Sequence, residues 1–171
     1  MNQSVKSVVV LFSICLVVAI LLSGVNYFTA PIIEKQAEQT KFASLYEVFP
    51  NAAGFADLSD KAALPESVTG VFEEESGLGY AVTLSTTSQF SKDNMVFTVA
   101  IDAEGKLTAV KLTNYAETKD FGEDYPNSYI GIDVNSVENV DLVGGVTYSS
   151  TAFKNAVVDA FAALSAVKEA N

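Results

Sequence analysis

The 171-residue sequence contains no histidine, arginine or tryptophan, and its one cysteine is Cys15. Zinc, haem and iron–sulfur sites normally use histidine or cysteine ligands, so the sequence predicts none of them. A single cysteine also excludes an internal disulfide. Carboxylates can bind hard cations, but no calcium-loop pattern occurs. Any redox chemistry of this chain must therefore rest on an organic cofactor.

Positive charge is also scarce, with ten lysines against 21 acidic residues. The first acidic residue is Glu34, so the whole acidic excess lies beyond position 33. Nucleic-acid phosphates are bound by clustered lysine and arginine, and we expect no nucleic-acid partner. The acidic run Glu73–Glu75 is most simply interpreted as a solvated turn.

The amino-terminal region has the opposite character, because no charged side chain occurs between Ser7 and Ile33. An apolar run of about 20 residues is long enough to cross a bilayer, and its backbone must then be helical. The sequence predicts a membrane anchor over residues 1–33, with the span at about 8–28. A cleaved signal peptide is the alternative. We favour the anchor, because the run is long and is followed by Tyr27, Phe28 and Pro31.

The orientation of the span is predicted from the lysines beside it. Lys6 precedes the span, whereas Lys35 and Lys41 follow it, so the contrast is small. We favour a cytoplasmic amino terminus, with the remaining chain on the outer (extracellular or periplasmic) side of the cell membrane.

The rest of the chain predicts an α+β domain with a small antiparallel sheet. Residues 34–66 are expected to form a helix, ending near Pro50, and a connector; residues 67–171 form the main domain. Alternating apolar residues predict four strands at 68–73, 79–85, 95–101 and 106–113. An apolar stripe from Phe153 to Val167 predicts a carboxyl-terminal helix, with Ser149, Ser150 and Thr151 as N-cap residues.

The segment from Asp141 to Ala156 reads DLVGGVTYSSTAFKNA. Its two glycines allow a bulky group to approach the backbone before the isolated hydroxyl of Thr147. The start of the following helix would favour a phosphate beside that hydroxyl. An ordinary strand-to-helix turn with a good cap gives the same pattern, so these residues alone leave both interpretations open.

This segment resembles the flavinylation motif of the FMN-binding domain family, Asp-x-x-Ser/Thr-Gly-Ala-Thr-x-Thr/Ser-Ser. Five residues match that pattern in order: Asp141, Gly145, Thr147, Ser149 and Ser150. The resemblance implies that Thr147 is joined to FMN through a phosphoester, made by a flavin transferase from FAD. Two residues depart from the pattern, since Gly144 replaces a hydroxyl residue and Val146 replaces alanine.

A second segment, residues 117–122 (ETKDFG), resembles the Glu-Thr-Pro-Gly-Leu-Gly loop that lies near the flavin in this family. By resemblance, the cofactor-binding residues are then Thr147, Glu117, Thr118, Gly122, Gly144, Gly145, Ser149 and Ser150. Tyr80 and Phe121 are either aromatic residues that pack on the flavin or ordinary core residues.

Within the family, the likeness is greatest to G subunits of Rnf complexes, then to C subunits of sodium-pumping NADH:quinone oxidoreductases. It implies a non-catalytic electron relay with covalent FMN, in a complex that couples electron transfer between ferredoxin and NAD to export of Na⁺ or H⁺. The implied partners are other membrane subunits, a flavin transferase and the lipid bilayer.

Two other functions remain open. The first is a free-standing extracellular flavin carrier, which would share the chemistry at Thr147. The second is an anchored structural module resembling a pseudopilin, although the usual glutamate early in the apolar helix is absent before Glu34.

Overall fold

The computed structural model describes residues 8–9, 11–16, 18–19, 29, 42–89, 94–115 and 119–170. The chain divides into two compact units, Met1–Phe42 and Ala43–Asn171. In the first unit, the described residues between 8 and 19 are helical and exposed. No helix among the described residues combines the length and the apolar character needed to cross a bilayer. Much of the predicted span, 8–28, lies outside those residues.

The second unit is built on a five-stranded antiparallel sheet whose strands follow one another in chain order. The strands are β1 (Phe55–Asp57), β2 (Val68–Glu74), β3 (Gly79–Thr86), β4 (Met95–Asp102) and β5 (Leu107–Asn114). The last four confirm the predicted strands. The edge strand β1 was not predicted, because its three residues lie in the segment expected to be a connector.

The β4–β5 hairpin shows how local sequence sets this topology. Strong strand formers in β4 end at Asp102, whose side chain accepts a hydrogen bond from the amide of Lys106 (2.9 Å). Gly105 adopts a φ of +86°, a left-handed conformation that glycine adopts at least cost. The turn therefore returns the chain antiparallel, and it pairs Ala100 with Ala109.

After the sheet, the described residues form three helical elements: α1 (Asp124–Asn127), a 3₁₀ turn (Val137–Asn139) and α2 (Thr147–Ala170). The predicted stripe of α2 is confirmed, because its seven residues are all buried: Phe153, Ala156, Val157, Ala160, Phe161, Leu164 and Val167. The predicted N-caps are wrong. The preceding turn starts the helix at Thr147, so Ser149, Ser150 and Thr151 lie inside it.

Both faces of the sheet are covered. On one face, α2 packs over the strands, and the rings of Phe97 and Phe153 stack with centroids 4.4 Å apart. On the other face, Leu45 and Val48 from the helical residues 43–48 pack against Phe72. This double coverage explains why almost every residue of β4 is buried, and it confirms the α+β class.

Glu74 contradicts the interpretation of the acidic run as a solvated turn, because it is 1% exposed. Its carboxylate accepts hydrogen bonds from the backbone amides of Ala53, Ser76 and Leu78. Burial by itself raises the pKa of this carboxyl, but the hydrogen bonds outweigh burial and lower the pKa. The Glu74 carboxylate therefore links the β2–β3 turn to the segment before β1 through these hydrogen bonds.

Candidate functional site

Thr147 is the first residue of α2, and its side chain is exposed. The turn before it is closed by a hydrogen bond from the amide of Val146 to the carbonyl of Val143 (3.3 Å). Gly145 lies in this turn with a φ of +85°, where a side chain would strain the backbone. Gly144 has no such φ, and a Cβ there would meet open space. Only the second glycine is therefore required by geometry.

Val146, one of the departures from the family pattern, is half-buried and packs against the core between α2 and the sheet. Its side chain is thus taken up by the core, while the neighbouring Thr147 is exposed. A β-branched residue at this position does not cover the hydroxyl of Thr147.

Thr147 lines an open cleft of about 700 Å³ between α2 and the loop that follows β3. Most of its lining side chains carry hydroxyl, amide or carboxylate groups. Its lining residues on α2 are Thr147, Tyr148, Thr151, Ala152, Asn155, Ala156 and Asp159, and those opposite are Ser67 and residues 86–89.

A hydrogen bond joins the two walls of this cleft. The hydroxyl of Ser67, which precedes β2, donates to Oδ2 of Asp159 at 2.6 Å. Ser67 is also tied to β3, since its carbonyl accepts the amide of Ser85 (2.7 Å). The carboxylate of Asp159 is therefore held in place from the opposite wall.

A second cavity, also about 700 Å³, is lined by Asp141 and Val143 together with Phe121, Asp124 and Tyr125 among others. The two cavities share no lining residue. The motif that reads continuously in sequence is thus divided in space, with Asp141 at one cavity and Thr147 at the other.

Two side chains fix the segments around the motif. Nζ of Lys154 donates to the carbonyls of Glu138 (2.6 Å) and Val140 (3.1 Å), within the three residues before Asp141. The buried hydroxyl of Tyr125 donates to the carbonyl of Ser150 in the first turns of α2 (2.9 Å). Burial raises the pKa of Tyr125, so its hydroxyl stays a donor at neutral pH.

The other cofactor-binding residues implied by the resemblance are not among the residues that line the cleft at Thr147. Glu117 and Thr118 lie outside the described residues. Gly122 adopts a φ of +76°, and its amide donates to Asp120. Ser149 and Ser150 are buried, and the Ser150 hydroxyl lies within hydrogen-bonding distance of the carbonyls of Val146 (3.0 Å) and Thr147 (3.1 Å) at the start of α2.

The two aromatic candidates also differ. Phe121 is buried, and its ring packs against Phe153 in the core. Tyr80 lies under the ammonium group of Lys168, which is 4.8 Å from its ring centroid. Since a helix rises 1.5 Å per residue, Lys168 is about 30 Å along α2 from Thr147. We therefore assign Tyr80 to the core.

Sequence reasoning missed Ser67, Tyr125, Lys154 and Asp159. A signal for Asp159 was present, because polar residues recur every four positions from Thr147 through Thr151 and Asn155. This spacing places them on one face of a helix. Ser67 and Tyr125 gave no such signal, since their partners are distant in sequence.

Comparison with known proteins gives two family matches, the FMN-binding domain over residues 91–162 and the RnfG N-terminal region over residues 1–48. The chain is also 31% identical, over 126 residues, to the G subunit of the Na⁺-translocating ferredoxin:NAD⁺ oxidoreductase complex of Acetobacterium woodii. That alignment covers 66% of this chain and 60% of the relative. The matches confirm the resemblance predicted from the motifs.

Proposed function

We propose that this chain, which matches the FMN-binding domain family over residues 91–162 and the RnfG N-terminal region over residues 1–48, carries FMN covalently on Thr147 and relays electrons. One observation carries the proposal. Thr147 is the first residue of a 24-residue helix, directly after the turn around Gly145, and its exposed side chain lines the cleft. Such a hydroxyl is accessible to a transferase, and the cleft beside it can receive the attached group.

The cleft fits FMN in size and chemistry. Its volume of about 700 Å³ is within the range of small-molecule sites, roughly 300–1,000 Å³. The amino end of α2 carries the positive end of the helix dipole, which favours the phosphate of the ester. Hydroxyl and amide side chains along the cleft suit the hydroxyls of the ribityl chain and the polar edge of the flavin ring.

The attachment reaction balances as a phosphoryl transfer from FAD. The Thr147 hydroxyl oxygen attacks the phosphorus on the FMN side of the pyrophosphate, the bond to the other phosphate breaks, and AMP leaves. The hydroxyl proton is lost to a base of the transferase or to water. Thr147 then serves as an attachment point, and the bound FMN supplies the redox chemistry.

The remaining parts of the proposal concern the assembly. We place the chain in an Rnf-type complex that transfers electrons between ferredoxin and NAD⁺ and exports an ion, in line with the name of the relative. Residues 8–28 would span the membrane, within an anchor of residues 1–33 joined by residues 34–66 to the flavin domain, 67–171. The uncharged run Ser7–Ile33 supports that anchor.

The test is flavin fluorescence in a denaturing SDS gel, after coexpression of the full chain with a flavin transferase. We expect a fluorescent band for the wild type and none for Thr147→Ala. The matched control is Thr151→Ala, which removes another hydroxyl from the same cleft and should keep the band. A dark wild-type band beside a positive control that the same transferase has flavinylated would refute covalent FMN.

A second experiment tests the assembly. The tagged chain is purified from membranes in mild detergent, and copurifying proteins are identified by mass spectrometry. Membrane redox subunits in stoichiometric amounts are expected. A flavinylated chain that purifies alone from native membranes would instead support the free-standing flavin carrier.

A further inference from the structure

Two large apolar side chains are exposed beside the proposed acceptor. Leu142 is 41% exposed and Tyr148 is 55% exposed. Both occupy positions that the flavinylation motif leaves unspecified, since Leu142 follows Asp141 and Tyr148 follows Thr147. Packing does not account for them either, because neither side chain belongs to the two buried clusters that cover the sheet. Their exposure therefore calls for a contact outside this domain.

The turn at residues 143–146 holds these side chains close to the acceptor. A hydrogen bond from the amide of its last residue to the carbonyl of its first closes the turn. The ends of such a turn lie within about 7 Å, and adjacent Cα atoms are about 3.8 Å apart, so the Cα atoms of Leu142 and Thr147 lie within about 15 Å. Gly144 and Gly145 occupy the centre of the turn, and a Cβ at either would meet nothing within 4 Å. The two apolar side chains thus flank an open stretch of backbone.

The segment that contains the acceptor is also uncharged. No charged residue occurs between Asp141 and Lys154, although the chain as a whole carries ten lysines and 21 acidic residues. The ammonium group of Lys154 is itself bonded to backbone carbonyls. A protein that covers this segment therefore meets apolar and hydroxyl side chains, and the surface fits an apolar partner surface better than a charged one.

Under the proposed function, one protein has to cover this surface, namely the enzyme that modifies Thr147. A typical interface covers about 800 Å² on each partner, which is a disc roughly 30 Å across. An enzyme that holds the Thr147 hydroxyl in its active site therefore also covers Leu142 and Tyr148. Tyrosine is among the residues that contribute most when they are buried at the centre of an interface, and a leucine adds apolar area.

We propose that Leu142 and Tyr148 form the docking surface for the flavin transferase, an inference that rests on the proposed function. Tyr148 is the main anchor, and Leu142 is a second apolar contact on the other side of the turn. Both residues act by binding before the cofactor is attached, and neither takes part in the transfer of the phosphoryl group. They set the affinity of the transferase for this chain at positions that the motif leaves open.

The test measures the initial rate of flavinylation of the purified, unmodified full chain in detergent, with FAD and a transferase that flavinylates the wild type. Tyr148→Ser should lower kcat/KM about tenfold and Leu142→Ser about threefold, through a higher KM with kcat within about twofold of the wild type. Tyr148→Phe keeps the apolar ring without the hydroxyl, and it should retain the wild-type rate.

The matched controls are Leu78→Ser and Tyr46→Ser, which remove exposed apolar side chains away from the motif. Leu78 is 49% exposed and lies between β2 and β3, and Tyr46 is 43% exposed and lies in the helical residues 43–48. Both variants should keep the kcat/KM of the wild type. Circular dichroism and complete flavinylation after long incubation show that each variant is folded.

Binding is measured separately by competition. The Thr147→Ala chain cannot accept FMN, and it should inhibit flavinylation of the wild type competitively. Adding Tyr148→Ser to this inhibitor should raise its inhibition constant about tenfold, whereas adding Leu78→Ser should leave the constant unchanged. A purely structural role of Tyr148 predicts no such difference between two folded inhibitors.

The outcomes separate this inference from the proposed function. If Tyr148→Ser and Leu142→Ser are flavinylated with the kcat/KM of the wild type, covalent FMN stands and the docking surface is refuted. An equal loss in Leu78→Ser refutes it as well. Since Tyr148 also lines the cleft, an unchanged rate with an altered flavin absorption spectrum would assign its side chain to the bound flavin instead. If the wild type gives no SDS-stable flavin, the proposed function fails, and the inference fails with it.

Discussion

The hydroxyl of Tyr125 donates a hydrogen bond to the carbonyl of Ser150 at 2.9 Å. Because its one hydrogen is used there, the contact of 2.8 Å between the hydroxyls of Tyr125 and Tyr129 has Tyr129 as donor. This buried chain joins α1 to the helix that begins at Thr147. The position of the proposed flavin acceptor therefore depends on residues outside the motif.

Replacing Tyr125 by phenylalanine should lower the free energy of unfolding by about 1–2 kcal/mol. The variant loses two buried hydrogen bonds, whereas Tyr129→Phe loses only one and should cost less. Urea denaturation of the full chain in detergent, followed by circular dichroism, measures both. Equal stability of Tyr125→Phe and the wild type would show that this network does not fix α2.

The same tyrosines predict a loss of stability at alkaline pH. Burial raises the pKa of both Tyr125 and Tyr129 above the ordinary value of 10.0. In the unfolded chain they ionise near pH 10, while in the folded chain they ionise only at higher pH. Their contribution is thus complete below pH 10 and declines as the pH rises above it, by at most about 1.4 kcal/mol per pH unit for each group.

Unfolding free energies at pH 9, 10 and 11 test this dependence. The double variant Tyr125→Phe/Tyr129→Phe should show a flatter decline above pH 10 than the wild type. The control is Tyr46→Phe, which removes the hydroxyl of a tyrosine that is 43% exposed and lies outside this buried pair. An identical slope in the double variant would assign alkaline unfolding to other groups.

Alanine substitution should lower the free energy of unfolding more at Gly145 than at Gly144. Gly145→Ala places a side chain at a φ of +85° and should cost about 1–2 kcal/mol. It should also reduce the SDS-stable flavin signal, because relief of the strain displaces Thr147. Gly144→Ala has open space and should change stability by about 0.5 kcal/mol or less. Equal losses for the two variants would contradict the geometric distinction.

Lys154 should contribute more to the free energy of unfolding than an exposed lysine in an ion pair does. Lys154→Met removes the donor to the Glu138 and Val140 carbonyls, with an expected loss of about 1–2 kcal/mol. Lys111→Met is the matched control, because Lys111 forms an ion pair with Glu47 that is half exposed and should contribute under about 1 kcal/mol. The midpoints of urea denaturation give the comparison, and a larger loss for Lys111→Met would oppose it.

The elements of the fold with local signals were predictable from sequence. Alternation identified the last four strands, and the stripe from Phe153 to Val167 identified α2. The strand Phe55–Asp57 was not predicted, because three residues are too few to show a periodic pattern. This edge strand is defined by its pairing with β2. The burial of Glu74 was not predicted either, because it depends on a contact distant in sequence. One of the amides that donate to its carboxylate, that of Ala53, is 21 residues away.

The candidate site also combines features that have a local sequence signal with features that depend on tertiary contacts. Thr147 was found from a linear motif, whereas the cleft depends on Ser67 and the loop after β3, which approach α2 only in the folded chain. The predicted caps lie three to five residues beyond the actual N-cap position, because the turn around Gly145 already starts the helix at Thr147. Because the helix begins at Thr147, the side chain of Thr147 is exposed, whereas Ser149 and Ser150 are buried.

Accessibility leads to a prediction about the neighbouring hydroxyls. Ser149 and Ser150 are 6% and 0% exposed, while Thr147 is exposed at the first residue of α2. Thr147→Ser should therefore keep the SDS-stable flavin, and Thr147→Ala should lose it without transfer to either serine. Peptide mass spectrometry of the coexpressed variants locates any flavin. Flavin on Ser149 or Ser150 in Thr147→Ala would mean that the transferase opens the first turn of α2, and acceptor choice would then follow sequence and not exposure.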